Sequence, residues 1–275
     1  MASAKIWHVC DGTQQMERVV SLTGTPRATY RHNDRVMTFF PESMSAIAES
    51  RESLGLFPDF LSTADSTIGA FYQLRSLADD RIAGFDTYVV QLVPMDRLRY
   101  GFKVWNEKKT GLVMQLQTLD LDGLVLEQAA FSELKLDATV KMGALAQQMD
   151  QTDGYRVERP DRLKVSAESQ NWFFRSALPG FKAMGCYQRP VQTIAGAVRA
   201  QGQGSLQWVF SDGLASVSVF VDAYDERRHV REGAHHLRGA THAVTRRFGD
   251  GWVTAVGEVP VSTLNAFVQG LERKQ

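Results

Sequence analysis

The sequence predicts a mainly antiparallel β protein whose smaller second half is of the α+β class. Through the first half, short runs of β-branched and aromatic residues alternate with polar ones between turn signals. The second half repeats this strand pattern and ends in an amphipathic helix. A length of 275 residues with 44% hydrophobic residues suits one large or two modest domains, each with its own core.

In the first half, turn signals such as Asp11-Gly12 separate the predicted strands. From Pro41 to about Thr67 the alternation fails, which predicts an irregular loop with a short helix near Asp59–Ala64. We expect the strands to form a sheet of about nine members. They are Lys5–Cys10, Met16–Thr23, Ala28–His32, Val36–Phe40, Phe71–Leu77, Tyr88–Val93, Leu98–Trp105, Leu112–Leu119 and Leu124–Phe131.

A polar stretch at residues 141–165 predicts a linker between a first domain, residues 1–140, and a second domain, residues 166–275. A C-terminal helix is predicted with Pro260 at its start and Ser262 as its N-cap. Its apolar stripe consists of Leu264, Phe267, Val268 and Leu271. The strands predicted before it are Ser205–Phe210, Ala215–Val221, Ala234–Ala240, Ala243–Phe248 and Trp252–Glu258.

Basic and acidic residues are equal in number, 31 of each, so the formal net charge is zero. This argues against a protein that holds nucleic acid or an anionic membrane by bulk electrostatics. The longest uncharged stretch, Val259–Leu271, is well short of the ~20 residues that a membrane-spanning helix needs. The residues from Met1 to Cys10 have the pattern of a strand rather than a secretory signal. We therefore expect a natural N-terminal segment upstream of Met1.

Motifs for a nucleophile, a phosphate-binding loop or a metal centre are not recognisable, so the sequence predicts no enzyme, no cofactor and no metal site. His236 and His242 would share a strand face, but they lack an acidic or cysteine partner at a recognised spacing. Solvated strand faces are the favoured interpretation. Cys10 and Cys186 lack C-x-x-C spacing and are predicted to be inert buried thiols, with a single disulfide as the alternative.

One face of the predicted sheet is apolar. It carries Tyr88, Val90, Leu92, Tyr100, Phe102, Val104, Leu112, Met114 and Leu116. The opposite face, with Thr87, Gln91, Arg99, Lys103, Gln115 and Gln117, is predicted to face water. The first half offers no long amphipathic helix to cover the apolar face. Either an N-terminal helix upstream of Met1 covers it or it is partly open to an apolar ligand, and the two alternatives are not exclusive.

Several short sequence segments, called strings below, occur in the same order here and in a known family. They are Arg81–Val90, Arg99–Trp105, Lys109–Leu112, Leu126–Gln128, Leu178–Phe181 and Ser211–Phe220. From Ile6 to about Leu271, nearly the whole chain, the sequence thus resembles the MucB/RseB family.

The resemblance implies a first domain similar to the lipoprotein carrier LolA, an unclosed antiparallel β-barrel with an apolar concave face, followed by a smaller α+β domain. It implies a periplasmic regulator of the sigma-E envelope stress response that binds the periplasmic domain of a membrane-anchored anti-sigma factor. Such binding would shield the anti-sigma factor from proteolysis, and an acyl-chain or lipopolysaccharide-type ligand would release it. Family members begin with a signal peptide, a first helix and early strands, which we expect upstream of Met1.

We therefore predict a non-enzymatic regulator with an anti-sigma partner and a lipid ligand. The nine residues of the apolar face are the lipid-groove candidates, and the candidates for partner binding are Ser211, Asp212, Gly213 and Leu214. The alternative is a lipid or lipoprotein carrier of the LolA type, which needs an apolar groove but no second domain. Neither function involves nucleic acid or a transmembrane segment. The sequence leaves the oligomeric state open, a homo-oligomer included.

Overall fold

The computed structural model describes residues 2–50, 68–160, 163–175, 177–189 and 204–274. It is rich in strands, and none of the sheets formed by these residues closes on itself, which confirms the predicted fold class. The helix predicted near Asp59–Ala64 lies outside the described residues.

The strands are β1 (Ala4–Cys10), β2 (Gln15–Ser21), β3 (Ala28–His32), β4 (Arg35–Phe40), β5 (Ser45–Ser50), β6 (Tyr72–Ile82), β7 (Phe85–Pro94), β8 (Gly101–Glu107), β9 (Val113–Leu119), β10 (Val125–Ala130), β11 (Arg156–Glu158), β12 (Leu163–Val165), β13 (Trp172–Phe174), β14 (Lys182–Arg189), β15 (Ser205–Ser211), β16 (Ser216–Ala223), β17 (Gly233–Arg238), β18 (Thr241–Phe248), β19 (Gly251–Gly257) and β20 (Leu271–Arg273). The helices are α1 (Ile68–Phe71), α2 (Met142–Asp150) and α3 (Val261–Gly270).

The first of two compact units comprises the described residues of the ranges 1–56 and 135–161. Its sheet has the order β1-β2-β3-β4-β5-β11, antiparallel except where β11 pairs in parallel with β5. Strand alternation places apolar side chains from β2 to β5 on one face, and residues of α2 pack there. This core contains Met16, Tyr30, Met37, Phe39, Ala46, Leu145 and Met149.

The strands of the first half do not form one sheet of about nine members, as the sequence predicted. β5 lies inside the predicted irregular loop, and β11 pairs along its far edge. That stretch of edge is therefore not available to β6, which belongs to a separate sheet. β5 escaped prediction because its core-facing residues, Ala46 and Ala48, are alanines, and alanine has a low strand propensity.

The segment predicted as a linker, residues 141–165, contains α2, β11 and β12. α2 carries Leu145 and Met149, four positions apart on one helix face, into the core of the first unit. The division into domains of residues 1–140 and 166–275 stays a prediction.

The second compact unit comprises the described residues of the ranges 57–134 and 162–275. It holds a five-stranded sheet, β10-β9-β8-β7-β6, and a seven-stranded sheet, β12-β14-β15-β16-β19-β18-β17. α3 packs on the seven-stranded sheet against β16, β18 and β19. Val217, Val219 and Val221 of β16 and Val253 and Ala255 of β19 join the same core as the helix, because alternate residues of a strand share one face.

The predicted apolar stripe is confirmed for Leu264, Phe267 and Val268, which are buried on α3. Leu271 is buried too, but the helix ends at Gly270 and Leu271 begins β20. The predicted N-cap was wrong. The helix begins at Val261, and the carbonyl of Pro260 accepts hydrogen bonds from the N–H groups of the residues three and four positions on. Ser262 thus lies inside the first turn, and no side chain caps the helix.

A small charge network lies on the face of the first unit's sheet opposite α2. Arg31 is buried and its Nε donates to Oε2 of Glu17 at 2.8 Å, while Nδ1 of His8 lies 3.1 Å from Oε1 of Glu17. Burial alone would raise the pKa of the Glu17 carboxyl, but the hydrogen bonds from His8 and Arg31 outweigh it and lower the pKa to about 2. Glu17 is therefore ionised in the folded protein well below the pH at which it protonates in an unfolded chain.

This shift predicts a specific loss of stability in acid. Because the folded pKa of Glu17 is below its ordinary value of 4.5, its contribution is complete above that pH and disappears as the pH falls towards 2. Urea unfolding measured at several pH values between 5.5 and 3 should show this loss in the wild type. In Glu17→Gln the free energy of unfolding should fall less steeply as the pH is lowered. An equal slope in the two proteins would contradict the assignment.

Candidate functional site

The register of the five-stranded sheet brings the lipid-groove candidates of β7, β8 and β9 together. Val90 pairs with Val104 and Leu92 pairs with Phe102 between β7 and β8. Leu116 of β9 pairs with Val104 on its other side. Directly paired residues of neighbouring strands share a face, so these side chains form one apolar surface.

Much of this surface is covered by the chain itself. A cluster of buried side chains joins Leu92, Phe102, Val104 and Leu116 to Tyr72 of β6. Ile68, Phe71, Val113 and Leu214 pack against this cluster. Met114 is also buried, and the ring of Tyr100 lies 6.4 Å from that of His242.

An apolar margin remains on this face in the first half of β7. Tyr88 is 54% exposed and Leu112 37% exposed, while Val90 is half-buried. The Nζ of Lys108 lies 5.0 Å from the centre of the Tyr88 ring, a cation–π arrangement. The register shift in β9 pairs Val113 with Asn106, the partner of Tyr88, so Leu112, which precedes β9, falls on the opposite face. We call Tyr88 and Val90 the apolar margin. They are the groove candidates on this face that an external ligand can reach.

The candidates for partner binding form the turn between β15 and β16, and this turn points inward. The Oδ1 atom of Asp212 accepts hydrogen bonds from the N–H groups of Leu214 at 2.9 Å and Ala215 at 2.7 Å. Asp212 is buried, and Ser211, Gly213 and Leu214 are half-buried. Leu214 packs against the apolar cluster of the five-stranded sheet. The turn therefore helps to close the apolar face.

Arg99 was predicted on the solvated face, and that prediction was wrong. β8 begins at Gly101, so Arg99 precedes the strand, and its side chain has 0% exposure. Its Nη1 donates to Oδ2 of Asp212 at 2.7 Å and its Nε to Oδ1 of Asp96 at 3.1 Å. Its Nη2 donates to the carbonyl of Pro179 at 2.6 Å. All three guanidinium nitrogens thus have acceptors, which offsets the cost of burying the charge.

Aromatic rings enclose this ion pair. The centre of the Arg99 guanidinium lies 4.5 Å from the Phe71 ring and 5.1 Å from the Phe181 ring. The hydroxyl of Tyr72 donates to Oδ2 of Asp212 at 3.2 Å. Burial, with the charge of Asp212 as a further cause, raises the pKa of Tyr72 well above its usual range, so this hydroxyl keeps its proton.

Gly180 makes the close approach to Arg99 possible. Its φ of +83° is a left-handed conformation that favours glycine, and a Cβ there would lie 2.9 Å from Nη1 of Arg99. Three of the strings that carry the family resemblance therefore meet at this ion pair. They are Arg99–Trp105, Leu178–Phe181 and Ser211–Phe220. Local alternation assigned Arg99 to water, and no pattern within one string reveals a partner 113 residues away.

His236 and His242 lie together, as direct partners on the neighbouring strands β17 and β18 rather than on one strand. Their ring centres are 5.2 Å apart. No group of three or more metal-ligating side chains gathers in the part of the chain that the structure describes. Both cysteines are free; Cys10 is exposed, and burial raises the pKa of the Cys186 thiol to about 11. Within the described residues, no helix has the length and apolar character needed to cross a membrane.

The described residues thus form open, strand-rich sheets, with a buried ion pair and an exposed apolar margin in the second compact unit. The chain belongs to the MucB/RseB family, because the model of the MucB/RseB N-terminal domain matches residues 1–149 and that of the MucB/RseB C-terminal domain matches residues 166–272. Members of this family are sigma-factor regulatory proteins by name.

Curated relatives match over most of their length. The sigma factor AlgU regulatory protein MucB of Pseudomonas aeruginosa is 27% identical over 94% of this chain and 78% of its own. The sigma-E factor regulatory protein RseB of Haemophilus influenzae is 23% identical over 98% of this chain and 81% of its own, and RseB of Escherichia coli K12 gives the same three values.

Solved structures show the same fold. A crystal structure of MucB in complex with MucA(peri) covers 100% of this chain and 89% of that chain, with a TM-score of 0.71 and 23% identity. A crystal structure of MucB covers 99% of this chain and 87% of that chain, with a TM-score of 0.63 and 21% identity.

Proposed function

We propose that this protein is a non-enzymatic periplasmic regulator that binds the periplasmic domain of a membrane-anchored anti-sigma factor. Bound in this way, it shields that domain from proteolysis, and a lipid ligand weakens the complex. The observation that carries the proposal is the match of both family models across nearly the whole chain, together with relatives named as sigma-factor regulators. The crystal structure of the relative MucB in complex with MucA(peri) supports the choice of partner.

The apolar margin supports the lipid part of the proposal. Tyr88 and Val90 continue the sheet face that holds the buried side chains of Phe102, Val104 and Leu116, so an acyl chain laid there would extend an existing apolar cluster. Lys108, beside the Tyr88 ring, places a positive charge at the same end. This margin is also the one observation that favours the alternative function, a lipid or lipoprotein carrier.

The partner is tested by titrating a fluorescein-labelled anti-sigma periplasmic domain from the source genome with the full chain. We expect saturable binding and slower degradation of the bound domain by an added protease. If lipid regulates the complex, saturating acyl ligand must weaken partner binding, and the partner must weaken acyl binding by the same factor. A protein that binds the acyl ligand but not the anti-sigma domain would be a carrier.

The lipid surface is tested with a fluorescent acyl probe. Tyr88→Asp should weaken probe binding by about tenfold, because it places a charge where the acyl chain would lie. Leu22→Asp is the matched control, since Leu22 is an exposed leucine of the other compact unit. Equal effects of the two substitutions would mean that the probe does not bind at the apolar margin.

A further inference from the structure

β6 is the longest of the described strands, with 11 residues, and forms one edge of the five-stranded sheet. It stands last in the sheet order, so no described strand pairs with its outer edge. Every residue from Gln73 to Arg81 is exposed. A strand that is open along one edge and exposed on both faces offers unpaired backbone groups to a further strand.

The second half of β6 is protected against such pairing. The register with β7 shifts between Leu77 and Asp80, which marks a β-bulge, and bulges twist an edge away from incoming strands. The charges beyond the bulge are engaged within the protein. Asp79 pairs with Lys108, and Asp80 accepts a hydrogen bond from the indole N–H of Trp105 at 2.9 Å.

The first half, Tyr72–Leu77, lacks these protections. Leu74 is 63% exposed and pairs across to Leu92, so it extends the apolar face outward. Arg75 points to the opposite face, and its guanidinium donates to the side-chain oxygen of Gln73 at 3.1 Å. Within the described part of the chain, no carboxylate lies within ion-pair distance of Arg75.

We propose that the outer edge of β6 from Tyr72 to Leu77 binds an extended segment of the anti-sigma periplasmic domain as an added β-strand. Main-chain hydrogen bonds would supply affinity and alternate side chains specificity. An apolar residue would contact Leu74 and a neighbouring acidic residue would face Arg75, because successive side chains of a strand point to opposite faces. The inference rests on the proposed function and names the surface that carries it.

A second copy of this chain is the competing occupant. Antiparallel self-pairing centred between Leu77 and Ala78 would set Arg75 opposite Asp80 of the other copy. That centre falls on the bulge, and Asp80 already bonds to Trp105, so the geometry disfavours a dimer through β6. A partner segment shorter than the full strand avoids the bulge altogether.

Amide hydrogen exchange of the full chain, alone and saturated with the anti-sigma periplasmic domain, tests the edge directly. We expect added protection in Tyr72–Leu77 and none in β10, the opposite edge of the same sheet. Binding without any added protection in β6 would overturn this inference and leave the proposed function standing. Failure of the wild type to bind the domain at all would overturn both.

Side-chain variants give a second test. Leu74→Lys and Arg75→Glu should each weaken binding by about tenfold, whereas Val125→Lys on β10, also an exposed apolar residue of an edge strand, should not. Circular dichroism and melting temperature verify that the variants fold. If sedimentation velocity instead shows a dimer that Leu74→Lys dissociates, with partner affinity unchanged, the second copy is the occupant and the proposal fails.

Discussion

Replacing Asp212 with alanine should lower the free energy of unfolding by about 3–5 kcal/mol, the range seen when one member of a buried ion pair is removed. The Arg99 guanidinium would stay buried among aromatic rings without its 2.7 Å partner. The Tyr72 hydroxyl and the N–H groups of Leu214 and Ala215 would lose their acceptor as well. Urea denaturation followed by circular dichroism measures this loss.

Two controls distinguish the effect of leaving a buried charge unpaired from the effect of removing any ion pair. Asp79→Ala removes a partner of Lys108 in an exposed pair and should cost less than about 1 kcal/mol. The double variant Arg99→Met/Asp212→Leu removes both buried charges together and should regain much of the stability lost in Asp212→Ala. If Asp212→Ala costs no more than Asp79→Ala, the ion pair does not stabilise the second compact unit.

Phe102→Asp should destabilise the protein by about 4 kcal/mol or more, because it removes a buried ring and leaves a charge without a partner in the apolar cluster. Tyr88→Asp, on the same face but at the exposed margin, should cost about 1 kcal/mol or less. Urea unfolding of both variants, with Phe102→Leu as the matched core control, measures the difference. A mild effect of Phe102→Asp would show that this face is open to solvent.

The sequence pattern predicted which side chains share a face more successfully than which faces are covered. The alternation in β7 and β8 matches the observed register of Val90, Leu92, Phe102 and Val104. In β9 it holds for Leu116, but a register shift near Val113 breaks it, and a shift of this kind is not visible in the local pattern. One of the residues that cover this face, Leu214, lies about a hundred residues away in sequence, and local periodicity carries no information about such a contact. The apolar face was therefore predicted as a groove, whereas most of it is core.

The other features that the sequence analysis misplaced or missed also depend on contacts between distant segments. Arg99 appeared solvated because charged residues are almost never buried without a partner, and its partner Asp212 belongs to a distant turn. β5 was missed because its inward residues are alanines, and α2 was missed because its apolar residues are set in a polar stretch. The tertiary structure stabilises both elements by packing them into one core.

Local sequence patterns were sufficient to predict the fold class, the family, the amphipathic C-terminal helix and the strands of the five-stranded sheet, because alternation, turn signals and the order of short segments can be read along the chain. Contacts between distant segments were needed to show that Arg99 and Asp212 form a buried pair, that Leu214 packs on the apolar cluster together with Ile68 and Phe71, and that β6 has no described strand on its outer edge. Those outcomes depend on which distant segments meet. Burial and pairing free energies across the whole chain select these contacts, and the pattern within any one segment does not.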